Sequence, residues 1–74
     1  MSEHNKNYVI TQIGITAGEI WHFLDREGAT SLEELCSGID HPRELVLMSL
    51  GWLAREGHVL VLQDTGGYRI DLRK

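Results

Sequence analysis

The sequence predicts a mainly α, α+β fold, a winged helix-turn-helix made of three helices followed by a two-stranded β-hairpin wing. Three observations lead to it. Apolar residues recur at helical spacing through the N-terminal part of the chain, and the link at residues 38–40 between the second and third helical segments has the short length of a helix-turn-helix. Two strand-like runs separated by Asp64-Thr65-Gly66-Gly67 then follow the third segment directly.

Residues 1–7 are polar and are expected to form a flexible tail, leaving residues 8–74 as the winged helix-turn-helix domain. A first helix over about residues 8–27 places Ile10, Ile13, Ala17, Ile20, Trp21 and Leu24 on one stripe, with Gln12, Glu19, His22 and Arg26 opposite. Gly28 is its expected stop, because glycine accepts the left-handed conformation that ends many helices. Thr30 reads as a short extended link. Ser31-Leu32-Glu33-Glu34 has the form of a capping box opening a second helix that runs to about Ser37. Gly38 breaks that helix and Ile39 reads as a buried turn residue. Asp40 is the expected cap of a third helix over about residues 41–56, with Pro42 in its first turn and Gly57 as its end. Val59-Leu60-Val61-Leu62-Gln63 and Tyr68-Arg69-Ile70-Asp71-Leu72 are the two strands of the wing.

Composition narrows the function classes. Seven Lys and Arg against eleven Asp and Glu give a formal net charge of -4. A domain that lives on phosphate contacts usually carries a basic surplus, so nucleic acid is not the default partner. The single cysteine, Cys36, cannot form an internal disulfide, which fits the cytoplasm; it is expected to be a half-buried packing thiol. The polar N-terminus lacks an apolar signal core, and no apolar run approaches the roughly 18 residues of a membrane span. No membrane association is expected.

Ile13-Gly14-Ile15-Thr16-Ala17-Gly18-Glu19-Ile20-Trp21 and Leu50-Gly51-Trp52-Leu53-Ala54-Arg55-Glu56-Gly57 together give the chain a narrower likeness. It resembles a small prokaryotic family of stand-alone winged helix-turn-helix proteins of unknown function. The resemblance covers nearly the whole chain and implies the fold and a homodimer, but no operator, ligand or reaction.

In a DNA-reading helix-turn-helix the third helix offers Arg, Lys, Asn or Gln to base edges while flanking groups hold phosphates. Here its most polar arc carries Arg43, Glu44, Gly51 and Arg55 with Met48 among them. The second helix adds Glu33 and Glu34, and the wing tip has no Lys or Arg. A DNA-binding transcription regulator would have to rely on Arg43, Arg55, Arg69, Arg73 and Lys74. The alternative, a solvated surface with salt-bridged arginines, fits the cation count better.

Apolar residues exceed what one small core needs. Leu47 and Ala54 lie outside or at the margin of the arc of Val46, Leu50 and Leu53; Leu60 and Leu62 oppose Val59 and Val61 across the first wing strand; Ile15 falls on the polar side of the first helix. A homodimer, or another protein partner, is the economical cover, with Ile15, Leu47, Leu60 and Leu62 as candidate interface residues. Gly14 and Gly18 form a small-residue ridge expected to allow close internal packing against Trp52, and Trp21 and Trp52 are expected core residues.

Catalytic patterns are weak. Asp64-Thr65-Gly66 matches the aspartic-protease triplet, yet it sits in a hairpin turn that favours Asp and Gly for turn geometry alone. His4, His22, His41 and His58 lack metal-ligand spacing, and Gly66-Gly67 opens a strand rather than a phosphate-binding helix. The expectation is a non-enzymatic protein without catalytic residues, metal or cofactor.

Overall fold

The computed structural model describes residues 8–74; the expected tail at residues 1–7 lies outside the described residues. The elements run α1 (Ile10–Glu27), β1 (Thr30–Ser31), α2 (Leu32–Gly38), α3 (Arg43–Arg55), β2 (Val59–Asp64) and β3 (Gly67–Leu72). The predicted winged helix-turn-helix is the observed fold, with one addition. Thr30 is not a bare link, because it pairs with Ile70 and turns the two-stranded wing into a three-stranded sheet of order β1-β3-β2. A β-branched residue just before an extended N-cap leaves its backbone free for that pairing.

Helix ends follow local chemistry. The amide of Gly28, at φ 83, donates to the Leu24 carbonyl at 2.8 Å and closes α1. Gly57, at φ 81, ends α3 in a Schellman motif: its amide donates to Ala54 O at 3.1 Å and the His58 amide to Leu53 O at 2.9 Å. The capping box of α2 forms as expected, with the Glu34 amide donating to Ser31 Oγ at 3.0 Å and the Ser31 amide to Glu34 Oε1 at 3.2 Å. Asp40 does not cap α3. Pro42 takes the N-cap position in an extended conformation, ψ 146, with no side-chain cap, and the helix starts at Arg43 rather than His41. Proline disfavours helical backbone in the residue before it, which moves the start past His41.

The core is built from the inner faces of all three helices and the sheet. Ala17, Ile20 and Leu24 of α1 meet Leu35, Ile39, Val46, Leu50 and Leu53, and the sheet closes over them with Val59, Ile70 and Leu72. Ile39 is buried and Cys36 half-buried, both as expected. Thr16 is fully buried, and its Oγ1 has no hydrogen-bond partner among the described residues.

Both tryptophans depart from expectation. Trp21 is 37% exposed and Trp52 47% exposed. Each adjoins a core residue, Ile20 or Leu53, and the turn of about 100° between helix neighbours carries the indole to the rim of the core. The close packing expected at the glycine ridge is also absent. Among the described residues a Cβ built on Gly14 or Gly18 would meet no atom within 4 Å, although Gly14 lines an open groove with Ile10, Ile13, Met48 and Trp52.

Candidate interaction surface

The exposed side of α3 is where a winged helix would meet a partner. Val46, Ser49, Leu50 and Leu53 are buried on its inner side, so Leu47, Met48, Gly51 and Trp52 remain on its outer side with Glu44 and Arg55. Leu47 borders a shallow groove of about 270 Å³ with Leu32, Gly51, Val61 and Tyr68, floored by Leu50 and Ile70. Apolar residues lining a concave surface favour a partner that brings apolar groups of its own.

The four candidate interface residues are all exposed: Ile15 57%, Leu47 40%, Leu60 46% and Leu62 65%. They do not form one patch. Ile15 borders a separate groove with Gln12, Thr16, His41, Pro42 and Leu45 at the start of α3. The β2–β3 register places Val61 opposite Ile70 and Leu62 opposite Arg69, so Val59 and Val61 face the core side of the sheet and Leu60 and Leu62 the outer side. Leu47, Leu60 and Leu62 therefore border the two faces of β2. Met48, Trp52 and the edge position of β2 were not picked out from sequence.

The cations are divided. Arg43 meets Glu33 in a paired contact, Nη1 to Oε1 at 3.3 Å and Nη2 to Oε2 at 3.4 Å. Hydrogen bonding to Glu33, then its charge, raises the Arg43 pKa above its ordinary value. Arg69 lies on the outer sheet face across from Ser31, in the field of Glu34. The Glu34 carboxyl is held below its ordinary value, first by the Ser31 amide, then by the Thr30 and Ser31 hydroxyls, with Arg69 contributing least. Arg55 stands at the far end of α3, twelve residues on from Arg43, or about 18 Å at the helical rise. Arg73 and Lys74 follow β3 at the end of the hairpin away from its tip.

The residues singled out for other chemistry take structural places. The Gly66 amide donates to Asp64 Oδ1 at 2.9 Å, a turn contact that occupies the aspartate. His41 Nε2 lies 3.1 Å from Glu19 Oε1 and links the start of α3 to α1. His22 packs edge-on to Trp21 and His58 is tilted against Trp52; His4 lies outside the described residues. Among the described residues no group of three or more His, Cys, Asp or Glu side chains is placed to hold a metal ion, and no helix is long and apolar enough to cross a membrane.

Helices, turn and wing together define a winged helix-turn-helix protein. The chain belongs to the family described as winged helix-turn-helix domain (DUF2582), whose model matches residues 1–72. It is 34% identical over 64 residues to the uncharacterized protein MJ1608 of Methanocaldococcus jannaschii, spanning 84% of this chain and 91% of that one. The solution structure of protein BT2368 from Bacteroides thetaiotaomicron is similar at a TM-score of 0.72 and 32% identity, over 81% of this chain and 73% of that chain. The Zalpha domain of PKZ from Carassius auratus, solved in complex with Z-DNA, shares the fold at a TM-score of 0.75 and 19% identity, over 84% of this chain and 98% of that chain.

Proposed function

We propose that the chain is a non-enzymatic cytoplasmic protein that acts as a homodimeric protein-interaction or regulatory module. The observation that carries this reading is the exposed side of α3, where Leu47, Met48 and Trp52 occupy the positions from which a DNA reader would present cations and amides. Arg43 is already engaged by Glu33, and the net charge of -4 works against a polyanion. Ile15, Leu47, Leu60 and Leu62 are the side chains through which a second copy or another protein would gain apolar contact.

A second reading has one observation in its favour, the fold shared with a Zalpha domain solved on Z-DNA. In that reading Arg43, Arg55, Arg69, Arg73 and Lys74 hold phosphates and the protein is a small transcription regulator. Their separation along the molecule, and the carboxylates beside Arg43 and Arg69, weaken it.

Titration of generic B-form and Z-form duplexes into the protein at low and moderate salt separates the two. The interaction-module reading predicts no saturable binding to either duplex. Tight, salt-sensitive binding that is lost in Arg43→Ala/Arg55→Ala would replace it with the DNA reading.

A further inference from the structure

β2 is an edge strand: the sheet order is β1-β3-β2, so one side of Val59–Asp64 pairs with β3 and the other meets no strand among the described residues. Natural edges are usually blunted by proline, by lysine, by a bulge or by shortness. β2 uses none of these. It is VLVLQD, six residues long, and its register against β3 is unbroken from Val59↔Leu72 to Asp64↔Gly67.

Which backbone groups look outwards follows from one bond. The Arg73 amide donates to the His58 carbonyl, so position 58 points its backbone towards β3. Antiparallel ladders alternate, so Leu60, Leu62 and Asp64 also spend their backbone groups on β3. Val59, Val61 and Gln63 then direct their N–H and C=O groups to the open edge.

We infer that this edge pairs with β2 of a second copy of the chain, antiparallel, across a two-fold axis at Val61. The inference rests on the homodimer reading above and deepens it by naming the surface. A two-fold axis perpendicular to the sheet keeps each face on its own side, so paired positions must share a face. Among such registers, the one centred on Val61 matches every outward N–H of one copy with an outward carbonyl of the other, Val61 with Val61 and Val59 with Gln63. Shifting it by one pair of residues strands part of the edge.

The same register suits the side chains. On the outer face Leu60 meets Leu62 of the second copy on both sides of the axis, gathering the wing's two most exposed aliphatic side chains into one apolar cluster. At its ends position 58 falls opposite position 64 of the second copy, with the His58 ring turned to Trp52 of its own chain. On the inner face the two Val61 side chains meet, and the groove of Leu47, Val61 and Tyr68 in each copy opens beside the junction. The product is a continuous six-stranded sheet with helices on one side and leucines on the other.

Amide exchange of the full chain, followed by NMR with solution mass measured on the same samples, tests the pairing. The amides of Val59, Val61 and Gln63 exchange slowly where the mass is that of a dimer and accelerate at least tenfold on dilution to monomer. Val61→Pro, which removes an outward N–H and no bond to β3, gives a monomer with unchanged helical circular dichroism. A dimer whose three amides exchange as fast as free ones, or a folded Val61→Pro protein that stays dimeric, overturns the edge while leaving the homodimer standing. A monomer at every concentration overturns both. Should Val61→Pro unfold, the wild-type exchange pattern decides alone.

Discussion

The Arg73 amide lies 3.0 Å from the His58 carbonyl and donates to it, which fixes the phase of the whole β2–β3 ladder. Even-numbered positions of β2 are committed to β3 and odd-numbered ones are not. Proline substitution reads this phase directly. Leu62→Pro deletes a ladder bond and should cost about 2–3 kcal/mol, whereas Val61→Pro should cost less than about 1 kcal/mol at concentrations too low for association. Urea unfolding of the two variants checks the ordering; equal losses would place the outward groups elsewhere.

The Ser31–Glu34 capping box should govern the start of α2. Ser31→Ala removes the acceptor for the Glu34 amide and is expected to cost about 1 kcal/mol. Glu34 has a folded pKa below its ordinary value of 4.5, so its contribution is fully present above that value and is lost as pH falls through the depressed folded value. Thermal unfolding of wild type and Glu34→Gln from pH 7 to pH 3 should show a gap in favour of wild type near neutrality that closes below pH 4.5. A constant gap would mean that the charge of Glu34 is not what caps the helix.

Gly38 lies directly against the ring of Phe23. A Cβ on Gly38 would run into the Phe23 ring, which packs half-buried against the core. Gly38→Ala should therefore lower stability by about 1–3 kcal/mol despite alanine's better helix propensity. Pairing it with Phe23→Leu should recover part of the loss, and a neutral Gly38→Ala would show that the ring moves aside freely.

The ridge on α1 behaves oppositely. Gly14 and Gly18 are exposed, and a methyl group at either finds open space. Gly14→Ala and Gly18→Ala should each stabilise the fold by up to about 1 kcal/mol, since alanine favours the helix. Destabilisation in a chemical melt would mean that the helix packs more tightly there than the structure has it.

Most of the fold was legible because it is written in local chemistry. The stripe containing Ala17, Ile20 and Leu24, the Ser31–Glu34 box, the stops at Gly28 and Gly57 and the Asp64–Gly67 turn each act over a few residues. Features set by tertiary geometry were not. Thr30 becomes a strand only because Ile70 lies beside it, and the exposure of Trp21 and Trp52 depends on where the core centre falls, not on their hydrophobicity. The candidate surface was legible in part: the exposed aliphatics could be named from periodicity, but the sheet order that makes β2 an edge, and the separation of Ile15 from Leu47, required the packed chain. The Arg43–Glu33 pair joins α2 to α3 across ten positions and was readable only as a tendency of arginines to find carboxylates.

The most direct measurement is solution mass by light scattering across a concentration series, for wild type, Leu47→Glu and Leu60→Glu, with and without generic duplex DNA. A homodimer built on these side chains is expected to show a wild-type dimer mass that both glutamate variants weaken at least tenfold, and no mass shift with DNA. A wild-type monomer that gains mass only when duplex is added would contradict it and turn attention to Arg43 and Arg55.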